Sequence, residues 1–267
     1  MSSNSVYTLR RGSAPLLVSV PHAGTLIPEE IASVLVESAL AVEDTDWHLD
    51  SLYAFAHEMG ASMLVPRYSR YVIDLNRSPE NEPMYPGANN TELCPTRSFA
   101  GESIYLPAKA PDEASVRERR ERFWRPYHEA LAGELDRIRA RHGYALLWDG
   151  HSIKSVLPWL FDGKLPDLNL GTAGGKSCAP SLRAALSTAL RGQSVFSHVT
   201  DGRFKGGYIT RHYGQPGAGV HVVQLEMCWS CYMDESPPYT LDRARAAKLE
   251  PVLQSLLRVA LDWRPND

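Results

Sequence analysis

The apolar run Leu146-Leu147-Trp148 breaks off into Asp149-Gly150-His151-Ser152, and an earlier run, Leu16-Leu17-Val18-Ser19-Val20-Pro21, closes on His22. Runs this short, bounded by Gly, Pro or Asp, read as strands, so each histidine falls at the carboxyl end of one. Open α/β sheets put their ligands at that edge. The placement suits a metal, because a catalytic zinc takes three protein ligands, commonly imidazole, and keeps a fourth position for water. The chain must then fold so that the two strand ends converge, and it must supply a third ligand.

Further strand candidates are 15–20, 61–65, 71–75, 144–149 and 219–225, each rich in Val, Leu or Ile. Helical patterns lie between them. In 111–141, Pro111-Asp112-Glu113 opens the segment, Val116, Phe123, Tyr127, Leu131, Leu135 and Ile138 recur at helical spacing, and Gly143 ends it. Segments 46–59, 180–191 and 240–262 also read as amphipathic helices, the last with Thr240 as N-cap and an irregularity at Pro251. Alternating strands and helices indicate an α/β fold. Two Pro- and Gly-rich stretches, 76–108 and 150–180, are expected to be ordered loops around a pocket, anchored by Tyr85, Tyr105, Trp159 and Phe161.

At 267 residues, with no linker, charge block or repeat, the chain is expected to form one domain over 1–267. A net charge of -3 gives no basic footprint for nucleic acid and no general pull toward an anionic membrane. No stretch reaches the length of a membrane span, and the first residues lack a leader pattern, so a cytoplasmic location is expected. The oligomeric state is not legible. Four cysteines make a poor disulfide framework at this size. Cys228 and Cys231 have CxxC spacing, which chance explains better than redox chemistry. Gly171-Thr172-Ala173-Gly174-Gly175-Lys176-Ser177 imitates a phosphate loop, but that motif needs Gly where Leu170 stands.

Asp44-Thr45-Asp46-Trp47-His48 offers the third ligand. N-capping alone accounts for aspartate at a helix start. Beside His22 and His151 the group becomes a His/Asp/His site, with Asp46 preferred over Asp44 for its position nearest the helix start, and with His48 as a competitor. Asn76-Arg77, just past the apolar run 71–75, has the planar fork and adjacent amide that grip a carboxylate. Glu226 ends the run from Val220 and is placed to take a proton from a metal's water and deliver it to a leaving amine; a salt-bridged Glu at the core edge is the plainer reading.

The ordered set Ser19-Val20-Pro21-His22-Ala23-Gly24, Asp44-Thr45-Asp46, Ser69-Arg70-Tyr71 with Asp74-Leu75-Asn76-Arg77, Trp148-Asp149-Gly150-His151-Ser152, Asp167-Leu168-Asn169-Leu170-Gly171, Gly206-Gly207-Tyr208-Ile209-Thr210-Arg211 and Gln224-Leu225-Glu226 resembles the N-formylglutamate amidohydrolase family, from about residue 15 to about 240. The resemblance implies hydrolysis of N-formyl-L-glutamate to formate and L-glutamate, the closing step of one route of histidine degradation. That family in turn is similar to zinc carboxypeptidases and aspartoacylases. This likeness implies a three-layer α/β architecture, a zinc site of His22, Asp46 and His151, an Asn76-Arg77 clamp and a catalytic Glu226. It departs at Thr25, where those relatives carry a carboxylate ligand, and Asp46 is the substitute. Under the same reading Arg70 meets the oxyanion, and Arg203 or Arg211 provides the second cationic contact that a dicarboxylic product needs. Two alternatives stand beside it: a metal-dependent amidohydrolase for another N-acyl acidic amino acid, and a metal-free carboxylate-binding protein.

Overall fold

The computed structural model describes residues 5–84 and 89–265. Seven strands form one sheet: β1 (Tyr7–Arg10), β2 (Leu16–Ser19), β3 (Ser62–Pro66), β4 (Ala145–Ile153), β5 (Leu168–Gly171), β6 (His198–Thr200) and β7 (Val220–Cys228), in the order β1-β3-β2-β4-β7-β5-β6. The middle of the sheet, β3-β2-β4-β7, is parallel, while β1 pairs antiparallel with β3 and β5 antiparallel with β7. All nine residues of β4 and all nine of β7 are buried, as expected for parallel strands covered on both faces.

The helices are α1 (Glu29–Ala32), α2 (Leu49–Leu52), α3 (Phe55–Glu58), α4 (Glu113–Arg119), α5 (Arg125–His142), α6 (Pro180–Arg191), α7 (Tyr208–Tyr213) and α8 (Arg243–Asp262). Strand periodicity sorts the core into two layers. Leu17, Leu147, Val220 and Val222 pack with Tyr127, Leu131, Leu135 and Ile138 of α5. Leu16, Val18, Leu146, Trp148, Val223 and Leu225 pack on the other face with Leu182, Leu186 and Leu190 of α6 and Leu249, Leu253 and Leu256 of α8. The result is the three-layer, mixed α/β arrangement expected from sequence.

Several expected elements are revised. Segment 71–75 is not a strand: Val72 N–H donates to the Ser69 carbonyl in a turn and Asp74 N–H to the Leu93 carbonyl of a later loop, with no strand ladder. The run is apolar because Tyr71, Val72, Ile73 and Leu75 lie under α5 in the core. The helix expected over 46–59 is two single turns, α2 and α3, and His48 before α2 is left-handed at φ 62 with no side-chain cap bond. Within 150–180, β4 continues to Ile153 and β5 occupies Leu168–Gly171. The N-cap of α8 is Asp242, whose carboxylate accepts from the Ala244 and Arg245 amides, and the helix runs through Pro251. The long helix of 111–141 starts from an Asp112 cap and ends at Gly143, with a π turn at Arg120–Trp124 just ahead of Pro126, which lacks the N–H that would continue the α ladder.

Of the expected loop anchors, Tyr105 and Phe161 are buried. Trp159 closes on Gly101, where φ is 85 and a Cβ would sit 2.7 Å from the indole. Tyr85 lies outside the described residues. Among the described residues no helix is long and apolar enough to cross a membrane.

Candidate active site

β2 ends at Ser19, and the chain turns through Val20 and Pro21 to deliver His22 beside His151 on β4, with the rings 5.0 Å apart. Asp46 reaches the same point because its N–H donates to the His22 carbonyl. One ligand atom from each of the three buried residues lies within 4.8 Å of the others. Asp46 Oδ2 is 3.5 Å from His22 Nδ1 and 3.1 Å from His151 Nδ1. A tetrahedral zinc holding its donors at about 2.0–2.2 Å separates them by about 3.4 Å, so the two separations from Asp46 are those of neighbouring donors on one divalent cation, and a carboxylate between two imidazoles suits zinc in chemistry.

Asp44 and His48 are directed elsewhere. Asp44 Oδ2 accepts the Phe99 N–H at 2.8 Å, and burial pushes its carboxyl up to about 6 against the opposing pull of Arg70. His48 Nε2 meets the Tyr239 carbonyl at 2.8 Å. Asp46 is in the cluster although it starts no helix, so its position follows from the turn after Val42 rather than from capping.

Charge reinforces this geometry. Burial opposes ionisation of Asp46, yet the His151 and His22 imidazoles beside it outweigh that and bring the carboxyl down to about 2. Burial likewise disfavours a charged His151, but Asp149 and Asp46 override it and hold the imidazole well above its ordinary value. Burial also resists ionisation of Asp74, and Arg70, Arg77 and His22 reverse that, keeping it well below the carboxylate range. Asp46 thus lies between the two imidazoles, while Asp74 is balanced by Arg70 and Arg77.

The parallel register of β4 and β7 makes His151 and Glu226 direct partners, which places Glu226 on the same side of the sheet as the histidine. Burial pushes its carboxyl up to about 8, with His151 opposing and Asp46 adding to the rise. Both residues line a narrow cleft of about 70 Å³ that also carries Arg70, Asn76, Arg77 and Arg203. Drug-sized ligands occupy roughly 300–1,000 Å³, so this cleft suits a small molecule.

Arg70 is buried, donates to Asp74 Oδ2 at 2.5 Å and stacks over Phe99 at 4.2 Å. Arg77 is steadied by the Thr91 carbonyl and hydroxyl at 3.0 and 2.9 Å. Asn76 Oδ1 accepts the Ile209 N–H, so Nδ2 is the atom left toward His151 Nε2, 3.1 Å away. Gly207 permits this, since a Cβ there would lie 2.2 Å from Nδ2. Arg203 donates to the Leu160 carbonyl at 3.0 Å. Arg211 does not line the cleft; its guanidinium meets the Gly206 carbonyl at 2.9 Å.

Sequence reasoning assigned no role to Asp74, Asp149, Phe99 or Gln224. The two aspartates carried a signal: a charged residue inside an apolar, buried run requires a partner. Phe99 and Gln224 had none.

The two decoys are explained. From Ala173 to Ser177 every backbone N–H already has an internal acceptor, namely the Lys205 carbonyl, Asp201 Oδ1 and the Thr172 carbonyl three times, so the glycine-rich turn offers no amide to a phosphate. Cys228 and Cys231 are buried and reduced, their thiols turned to the Pro166 and Asp167 carbonyls at 3.4 and 3.7 Å, and burial pushes Cys231 up to about 12. Neither is poised for redox chemistry.

A parallel sheet whose central strands end in a buried titratable cluster at the floor of a cleft is the layout of an α/β enzyme. The family model described as N-formylglutamate amidohydrolase matches residues 14–233, and the chain belongs to that family. N-formylglutamate deformylases of Pseudomonas putida and Pseudomonas aeruginosa are each 47% identical to it over 260 residues, spanning 97% of this chain and 97% of the relative. The crystal structure of N-formylglutamate amidohydrolase from Ralstonia eutropha JMP134 has the same fold, with a TM-score of 0.79 at 24% identity, covering 95% of this chain and 97% of that one.

Proposed function

We propose that this chain is one metallohydrolase domain that converts N-formyl-L-glutamate and water to formate and L-glutamate, at the end of a histidine-degradation route. The observation that carries the reading is the register of β4 and β7, which sets a desolvated Glu226 beside His151 in an arginine-lined cleft. The deformylase names of relatives at 47% identity support the substrate.

His22, Asp46 and His151 would hold the cation, zinc by its donor set. Zinc so held supplies Lewis acidity and lowers the pKa of water to about 7. Glu226 accepts the proton of the attacking water and passes it to the amide nitrogen as the C–N bond breaks, burial having raised its affinity for the proton it carries. Arg70, fixed by Asp74 and Phe99, faces the oxygen on which negative charge develops. Arg77 and the Asn76 amide grip one substrate carboxylate, and Arg203, which lines the cleft, meets the second.

Paired assays on N-formyl- and N-acetyl-L-glutamate, with elemental analysis of the purified protein, test the reading. Formyl-selective turnover with about one divalent metal per chain is expected. Equal turnover of the acetyl compound would widen the substrate to N-acyl acidic amino acids, and a metal-free active protein would remove the metallohydrolase assignment.

A further inference from the structure

Which nitrogen of His22 faces the cation site depends on where its proton sits, and one side chain decides that. Asp74 is fully buried, and its Oδ1 accepts the His22 Nε2–H at 2.7 Å and the Asn76 backbone N–H at 2.8 Å. Its other oxygen, Oδ2, accepts Arg70 Nη2 at 2.5 Å and has Arg77 Nη1 at 3.8 Å. A carboxylate in this state only accepts hydrogen bonds, so it requires the proton on Nε2 and turns the bare Nδ1 toward Asp46. The same group thus touches a residue from each part of the site: a cation ligand, the oxyanion arginine and the carboxylate clamp. Asp149 has a looser relation to His151, with Oδ1 3.1 Å from Nε2 but no hydrogen bond.

Resting on the metallohydrolase reading above, we propose that Asp74 is a positioning residue: it fixes the tautomer and direction of His22 and, through its second oxygen, holds Arg70 in register with it. An asparagine at this position keeps the shape but cannot satisfy both sides. If its oxygen accepts from His22, its NH₂ faces the Arg70 guanidinium, donor against donor.

The test is zinc titration calorimetry on chelator-stripped full-length protein for the wild type, His22→Ala, Asp74→Asn and Glu134→Gln, with near-UV circular dichroism confirming native packing. Glu134 is a control of equal burial, held by Ser62 and Arg137 away from the cleft. Expected results are loss of zinc binding in His22→Ala, about 10–100-fold weaker binding in Asp74→Asn, and unchanged affinity with a lowered melting temperature in Glu134→Gln. Wild-type zinc affinity in a natively packed Asp74→Asn, with binding lost in His22→Ala, would overturn the role of Asp74 alone. A wild type that takes up no zinc would overturn the metal reading and this role together. Should Asp74→Asn fail to fold, ¹⁵N NMR of the zinc-loaded wild type decides: a proton on His22 Nε2 supports the role, and one on Nδ1 overturns it.

Discussion

At the scale of single residues, the site divides by what each group does to charge. Glu226 is the proposed proton carrier, and Glu226→Gln keeps size and hydrogen-bonding capacity while removing the carboxylate. Turnover should fall by about 10²–10⁴-fold with metal content unchanged; loss of metal along with activity would make Glu226 a ligand instead. The arginines should separate kinetically. Arg77 is anchored on Thr91, and in the proposed role of gripping a carboxylate remote from the scissile bond it would hold ground and transition states alike, so Arg77→Ala should raise KM with little change in kcat. Arg70→Ala should lower kcat by about 10²–10³-fold, as for other lost oxyanion donors. Steady-state kinetics with N-formylglutamate checks both, and exchanged signatures would exchange the roles. His22, His151 and Glu226 were legible because polar residues at the ends of apolar strands are rare and chemically specific, whereas Asp46 was legible only as one of two aspartates in Asp44-Thr45-Asp46. Asp74 was not, because its meaning lies in partners 52 residues away as well as four.

At the scale of elements, the strands expected at 15–20, 61–65, 144–149 and 219–225 and the three longer helices were read well, and the elements inside the Pro- and Gly-rich stretches were not. The helix of 111–141 and strands β4 and β7 have enough residues for their period to show. β5 and β6, at four and three residues, do not, and β5 was hidden in an expected loop. Segment 71–75 misled for the opposite reason: burial against α5 makes a run apolar whatever its backbone does. The turn before α7 is where an element acts directly on the site. Gly207 has an ordinary φ of -84, so alanine is conformationally acceptable there, but its Cβ would collide with the Asn76 amide. Gly207→Ala should therefore displace Asn76 and raise KM about tenfold, which is about 1.4 kcal/mol of binding, with the thermal melting point nearly unchanged. An unaltered KM would remove Asn76 from the clamp.

At the scale of the whole molecule, His128 links three parts of the fold: its Nε2–H donates to the Leu75 carbonyl, its Nδ1 accepts from the Tyr213 hydroxyl, and its ring stacks on Trp124. Burial pushes this imidazole down to about 3, so it stays neutral when folded, whereas the unfolded chain binds a proton near 6.5. Its contribution to stability is constant above about pH 6.5 and is lost as pH falls toward 3, at about 1.4 kcal/mol per unit. The difference in unfolding free energy between wild type and His128→Gln, measured by denaturant titration from pH 8 to pH 4, should shrink below 6.5; a pH-independent difference would show His128 protonated in the folded state. By itself the sequence determined the α/β class and the family and singled out His22, His151 and Glu226, because strand-end polar residues and their order along the chain are local facts. Only the tertiary structure decided that Asp46 rather than Asp44 joins His22, that Arg203 rather than Arg211 lines the cleft, and that Asp74 ties ligand to arginine. Those choices depend on distances between segments far apart in sequence, which strand order, register and packing set, and which no local pattern encodes.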